Sequence, residues 1–304
     1  MRKPCIFIFV LGLAGFSYWV LRDDRQVKLS IPAESSRPID IAAESSAELR
    51  EQPTQGLKNA AAPKAAEHSI DLEAENKAGA VYFERDGKYA ILSEDIILGE
   101  IKNSDDKNFG WVEPAKLQFW NLPIPYAISK DLPSPQRVEE AIRYFNEKTP
   151  VKFIPFKGET EALIFMPAEE NCRSYLGKTG TVQPVFLSKG CGRNEVLHEL
   201  MHALGFIHEQ SRSDRDNFIE ILWDNINPKQ IRQFQKLPDS LMQTLGGSDF
   251  DFNSIMLYKI GTFAKNSSLP TMKSKTSGLI EPSRDGLSRV DIERLERIYG
   301  RNQH

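Results

Sequence analysis

Three of the chain's five histidines fall within one short string, Glu195-Val196-Leu197-His198-Glu199-Leu200-Met201-His202-Ala203-Leu204-Gly205-Phe206-Ile207-His208-Glu209. On a helix, His198 and His202 would differ by about 40° of rotation and roughly 6 Å of rise, so both imidazoles leave one side. That spacing suits ligation of one Zn2+ at ~2.0–2.1 Å per nitrogen. Gly205 can take the left-handed conformation that ends a helix and turns the chain. The turn lets His208 return as a third ligand. Three protein ligands leave one coordination position open, which a catalytic metal needs and a structural one does not. Glu199 follows the first ligand and is placed to reach water on the metal without ligating it. A bare H-E-x-x-H is only suggestive. The added glycine and third histidine, in a chain this poor in histidine, favour the metal over coincidence.

The elements that must carry this string can be read around it. Asn194 is expected to cap a helix running to Leu204. Upstream, Ile124 to Ile128 reads as a short strand. Ser134 is placed as an N-cap with Pro135 at the first helical position. Val138, Ala141, Ile142 and Phe145 then recur at the spacing of one buried helical face. Val151 to Phe156, Leu163 to Met166 and Pro184 to Ser188 read as strands. Ser288 and Asp291 form a capping-box-like start to a terminal helix with Val290, Leu295 and Ile298 inward.

With these residues in view, the chain resembles the metzincins, and with Glu209 after the third histidine, the astacin family of zinc endopeptidases. The run Gln210 to Asp216 is similar to that family's H-E-Q-S-R-x-D-R-D continuation. Ser254-Ile255-Met256-Leu257-Tyr258 resembles its Met-turn, with Leu257 where the family usually has histidine. The resemblance spans roughly residues 109 to 300. It implies an α+β, two-subdomain metzincin fold: a twisted, mostly parallel sheet with one antiparallel edge strand, long helices, and zinc at the floor of a cleft. Leu163 to Met166 is the candidate edge strand, which would hold an extended peptide by strand addition. The resemblance also implies one Zn2+ per chain on His198, His202 and His208. Glu199 would be the general base toward zinc-held water, Met256 an apolar floor, and Tyr258 a mobile fifth ligand that meets the oxyanion.

Cys172 and Cys191 flank a loop that resembles the family's C-x-S-x-x-G loop and are expected to form a disulfide in an exported chain. Reduced thiols are the alternative in a cytosol. A second disulfide that commonly ties the family's domain ends together is absent, so packing must restrain them. Val81 to Gly99 is similar to the end of an astacin prosegment, particularly of bacterial members. Within it Asp95 best matches the zymogen switch, an aspartate placed on the zinc. Leu92 and Glu94 replace the Phe and Gly of the family's F-x-G-D, and Asp86 is the second candidate. Cleavage between about Glu100 and Gly110 would free the enzyme, and Glu209 would then face the new amino terminus.

The rest of the chain bounds these readings. It has 304 residues, with 39 Lys and Arg against 42 Asp and Glu, so no basic surplus points to nucleic acid. Arg2 and Lys3 precede an uncharged run from Pro4 to Leu21, and residues 1–21 read as a signal peptide or signal-anchor. Residues 22–80 lack Phe, Trp and Tyr, carry Pro32, Pro38, Pro53 and Pro63, and read as a disordered spacer. Residues 81–108 would be the prosegment and residues 109–304 the peptidase domain. The expectation is an exported zymogen, secreted or membrane-anchored through residues 4–21, that cuts peptide or protein substrates. A catalytically dead peptide-binding or adhesion module on the same fold is the alternative. The intact set of His198, His202, His208 and Glu199 argues against it.

Overall fold

The computed structural model describes residues 19–22, 25–28, 79–101, 109–276 and 278–300. The proposed leader up to residue 18, nearly all of the spacer, and the 102–108 segment expected to carry the activation cut lie outside the described residues. Strands β1 (Trp19–Arg22) and β2 (Arg25–Lys28) form an antiparallel hairpin.

The central sheet draws on β3 (Val81–Asp86), β4 (Tyr89–Leu92), β5 (Ile96–Glu100), β6 (Phe109–Val112), β7 (Ile124–Ile128), β8 (Phe153–Pro155), β9 (Ala162–Pro167), β10 (Cys172–Tyr175) and β11 (Val182–Leu187). Their order across the sheet is β6-β3-β4-β5-β10-β11-β9-β7-β8. The block β11-β9-β7-β8 is parallel throughout. Strand β10 runs antiparallel to β11, with Arg173 opposite Phe186. A separate antiparallel pair joins β12 (Ile219–Ile221) to β13 (Met272–Ser274).

Leu163 to Met166 is therefore not the edge strand. It lies in β9, between β11 and β7, and Ala162 to Phe165 are all buried. A near-continuous apolar run is what a strand covered on both faces requires. The antiparallel edge of the parallel block is β10. Its outer side is taken by β5, which pairs with it in parallel, Ser174 opposite Ile96 and Tyr175 opposite Ile97.

Three α-helices are described: α1 (Gln136–Lys148), α2 (Arg193–Ala203) and α3 (Arg289–Tyr299). Helix α1 buries Val138, Ala141, Ile142 and Phe145, as their spacing requires. Ser134 does not cap it; its backbone is left-handed at φ 53, and Pro135 stands at the N-cap with no side-chain bond. Asn194 does not cap α2 either. The Glu195 carboxylate accepts the Gly192 N–H at 2.9 Å, while Asn194 donates to the Ser283 carbonyl and accepts from Gly286 N–H. Helix α3 has the expected cap, with Ser288 Oγ accepting from Asp291 N–H at 2.9 Å.

Val81, Phe83, Ala90, Leu92, Ile96 and Ile101 share one apolar core with the inner faces of α1 and α2. Strand β6 pairs with β3 across the boundary expected at residues 108 and 109. Trp120 and Tyr299 both meet the end of α2. Trp120 Nε1 donates to the Ala203 carbonyl and the Tyr299 hydroxyl to the Leu204 carbonyl, each at 2.9 Å.

Candidate metal centre

Helix α2 is buried on most of its surface, His202 included, while His198 is half-buried at the border of a cleft. It stops at Gly205, whose φ of +96 belongs to the left-handed region. A Cβ there would lie 3.2 to 3.4 Å from Leu117, Thr244 and Phe119 side chains. The turn returns His208 to the helix. His198 Nδ1 is 2.9 Å from the Ile255 carbonyl and His202 Nδ1 is 2.7 Å from the Phe206 carbonyl. Donating to a carbonyl from Nδ1 leaves Nε2 as a lone-pair donor to a metal.

Those Nε2 atoms converge. His198 Nε2 and His208 Nε2 are 3.1 Å apart. Asp95 joins them from the turn between β4 and β5, with carboxylate oxygens 3.5 Å from His198 Nε2, 3.7 Å from His202 Nε2 and 3.2 Å from His208 Nε2. All four ligand atoms lie within 4.8 Å of one another. Four tetrahedral ligands at ~2.1 Å from a zinc ion sit about 3.4 Å apart, which matches these separations. His202 Nε2 and Asp95 Oδ1 are also buried without a hydrogen-bond partner, as groups awaiting a cation would be. The residues fit zinc.

Asp95 gets there on a left-handed turn, Ser93 at φ 53 and Glu94 at φ 64. Glu94, which stands where the resembled motif has glycine, thus takes a left-handed backbone. Arg173 on β10 steadies the turn by donating from Nε to the Glu94 carbonyl at 2.8 Å, and it also ion-pairs with Asp86. Asp86 is therefore held away from the histidines. Burial alone would raise the Asp95 carboxyl, but the surrounding imidazoles, His208 foremost, hold it well below the usual range.

Glu199 is buried, and its Oε2 has no partner. Burial, and then the nearby Asp95 charge, push its carboxyl well above the ordinary value. Burial likewise lowers His202 to about 4. Met256 is buried, and its carbonyl accepts the Glu209 N–H at 2.9 Å. Leu257 joins an apolar cluster with Phe234 and Met272. The Tyr258 ring lies 4.9 Å from that of His208, flanked by Phe234 and Phe263. Burial raises its phenol well above the ordinary value.

Glu209 is fully buried and already has cationic partners. Arg294 contacts Oε1, Arg212 lies 3.3 Å from Oε2, and Asp251 N–H donates to Oε2 at 3.1 Å. Gly110, at the end of the expected cleavage range, stands in β6 opposite Phe83. A disulfide joins Cys172 on β10 to Cys191, just before α2. The cleft over the site, of about 450 Å3, is bordered by Asp95, His198, Glu199, Tyr258 and Phe263. Arg173, Asp291 and Arg294 were not legible as site residues; Asp291 showed only its capping role.

Comparison with known proteins agrees with this geometry. The model of the Astacin peptidase family matches residues 112–300. Zinc metalloproteinase nas-15 of Caenorhabditis elegans is 35% identical over 206 residues, 66% of this chain and 36% of its own. Zinc metalloproteinase nas-7 of the same organism is 38% identical over 198 residues, 64% of this chain and 50% of its own. The chain thus spans half or less of the length of these relatives. Among solved structures, High choriolytic enzyme 1 of Oryzias latipes, a hatching enzyme zinc-protease, aligns with a TM-score of 0.55 and 32% identity. That match covers 60% of this chain and 94% of the other.

Proposed function

The chain belongs to the astacin family, and from that premise we propose that it is a zinc endopeptidase made as a self-inhibited precursor, with residues 81–108 as prosegment and 109–304 as catalytic domain. The observation that carries the reading is the convergence of His198, His202, His208 and Asp95 in one cleft with the unpartnered carboxyl of Glu199. The three imidazoles would hold zinc, and Asp95 would fill the fourth position until it is withdrawn. Bound zinc would supply a Lewis acid that acidifies water and polarises the scissile carbonyl. Glu199 would take the proton of the attacking water and pass it to the leaving amine; a carboxyl whose dry surroundings favour its protonated form suits that exchange. The Tyr258 hydroxyl would donate to the developing oxyanion.

An extended peptide would add to the outer side of β10, where β5 now lies. Ser174 N–H and Leu176 N–H, which now donate to the Asp95 and Ile97 carbonyls, are the groups it would take over. Residues 1–21 would export the chain, by secretion or as an anchor, to a compartment where the Cys172–Cys191 bond persists.

The test is to place a unique protease site within residues 102–108, cut it, remove the prosegment, and assay casein hydrolysis. The processed chain should cleave casein, lose that activity to a chelator, and regain it with zinc. If zinc-loaded processed protein leaves casein intact, the enzyme reading falls and the peptide-binding module replaces it.

A further inference from the structure

Helix α3 lies at the far end of the chain from the histidine string, yet two of its side chains reach the segments that orient the imidazoles. Asp291 and Arg294 are three residues apart and so share one face of the helix. Both are buried, as are Ser254 and Glu209. Asp291 Oδ1 accepts the Ser254 hydroxyl at 2.7 Å, and Oδ2 accepts the Ile255 N–H at 3.0 Å. The carbonyl of that same Ile255 is the partner of His198 Nδ1. Arg294 contacts the Glu209 carboxylate and also donates to the Asp249 carbonyl at 2.9 Å and to Ser248 Oγ at 2.8 Å. Glu209 directly follows His208 in the chain.

The two histidines need different kinds of support. His198 has a carbonyl to fix its ring. His208 does not: its Nδ1 is buried without a hydrogen-bond partner. The placement of its ring therefore depends on its backbone, which Glu209 fastens on both sides. Its N–H bonds the Met256 carbonyl at 2.9 Å, and its carboxylate meets Arg294 and Arg212.

We infer that α3 is the positioning element of the metal centre, acting through Asp291 and the Ser254–Ile255 segment on His198, and through Arg294 and Glu209 on His208. Partners beyond the ligands fix ring orientation, and their loss typically weakens metal affinity ten- to a hundredfold. A helix that merely packed against the domain would affect stability and leave metal affinity alone.

The inference rests on the metal reading above, and the experiment separates the two. Full-length wild type, Asp291→Asn, Arg294→Met, Arg294→Lys and Leu295→Val are stripped of metal. Zinc dissociation constants are then measured by competition with a chromophoric chelator, beside the thermal midpoint of each zinc-free protein. Asp291→Asn and Arg294→Met should bind zinc about ten- to a hundredfold more weakly, and Arg294→Lys should recover part of the loss. Leu295→Val, which trims a buried apolar contact of the same helix, should lower the midpoint and leave the zinc constant unchanged. Should Asp291→Asn fail to fold, Ser254→Ala removes the hydroxyl that Asp291 Oδ1 holds in the same segment and carries the same expectation. Variants that bind within about twofold of wild type overturn the inference, as does a Leu295→Val loss of equal size. Wild type that takes up no zinc would instead overturn the metal reading itself.

Discussion

Replacing Ser93 with glycine should tighten self-inhibition, because the native turn there is strained and poorly satisfied. Ser93 sits at φ 53 and is buried, with its hydroxyl unpartnered. A left-handed backbone costs an L-residue about 1–2 kcal/mol. A buried, unsatisfied hydroxyl costs about 1–3 kcal/mol. Glycine removes both, against about 0.5–1 kcal/mol for the extra freedom it loses when the turn docks. The lower ends of these ranges leave about 1–1.5 kcal/mol in favour of the docked state, a shift of roughly five- to twelvefold. The Ser93 carbonyl, which accepts Asp95 N–H at 2.9 Å, is unaffected by the change. The assay is binding of a peptide hydroxamate to the uncut, zinc-loaded chain, whose apparent affinity scales with the fraction of molecules in which Asp95 has withdrawn. Ser93→Gly should weaken that binding about five- to twelvefold. Ser93→Ala loses the hydroxyl but keeps the strain, so it should fall between the two. If Ser93→Gly is no tighter than Ser93→Ala, strain in the turn has no part in the switch.

Other expectations follow from the same contacts. Glu199→Ala should retain one zinc per chain by elemental analysis and show no casein turnover after processing. Gly205→Ala forces a side chain into a left-handed, crowded position and should cost about 2 kcal/mol, a fall of roughly 4–8 °C in the thermal midpoint. Cys172→Ser combined with Cys191→Ser should lose about 3 kcal/mol in urea unfolding, the restraint a loop of this length places on the unfolded chain. Asp214 is held below the ordinary carboxyl range chiefly by its hydrogen bonds to Arg212. Because its folded pKa is the lower one, its stabilisation is present above the unfolded value of ~3.9 and fades as the pH drops through the folded value. Urea midpoints of wild type and Asp214→Asn should therefore converge as the solution is acidified below about pH 4.

The histidine string was legible because helical spacing is a local property. Four residues place His198 and His202 on one side whatever the helix packs against, and Gly205 marks the turn by its own stereochemistry. The capping of α3 by Ser288 and Asp291 was readable for the same reason, set by neighbours in sequence. The cap of α1 was misjudged at Ser134, whose backbone is left-handed, and that of α2 at Asn194 because contacts distant in sequence decided it. Asn194 is engaged by Ser283 and Gly286, some ninety residues away.

Strand placement shows the division most clearly. Leu163 to Met166 declared itself a strand by composition, but whether a strand is inner or edge depends on which others pair with it, and β11 and β7 enclose it. The side chains available for chemistry, then, were written along the chain. That Asp95 lands on those side chains more than a hundred residues downstream, that β5 covers β10, and that Arg294 meets Glu209 were decided only by the folded sheet and helices, since burial and long-range pairing are properties of the assembled core.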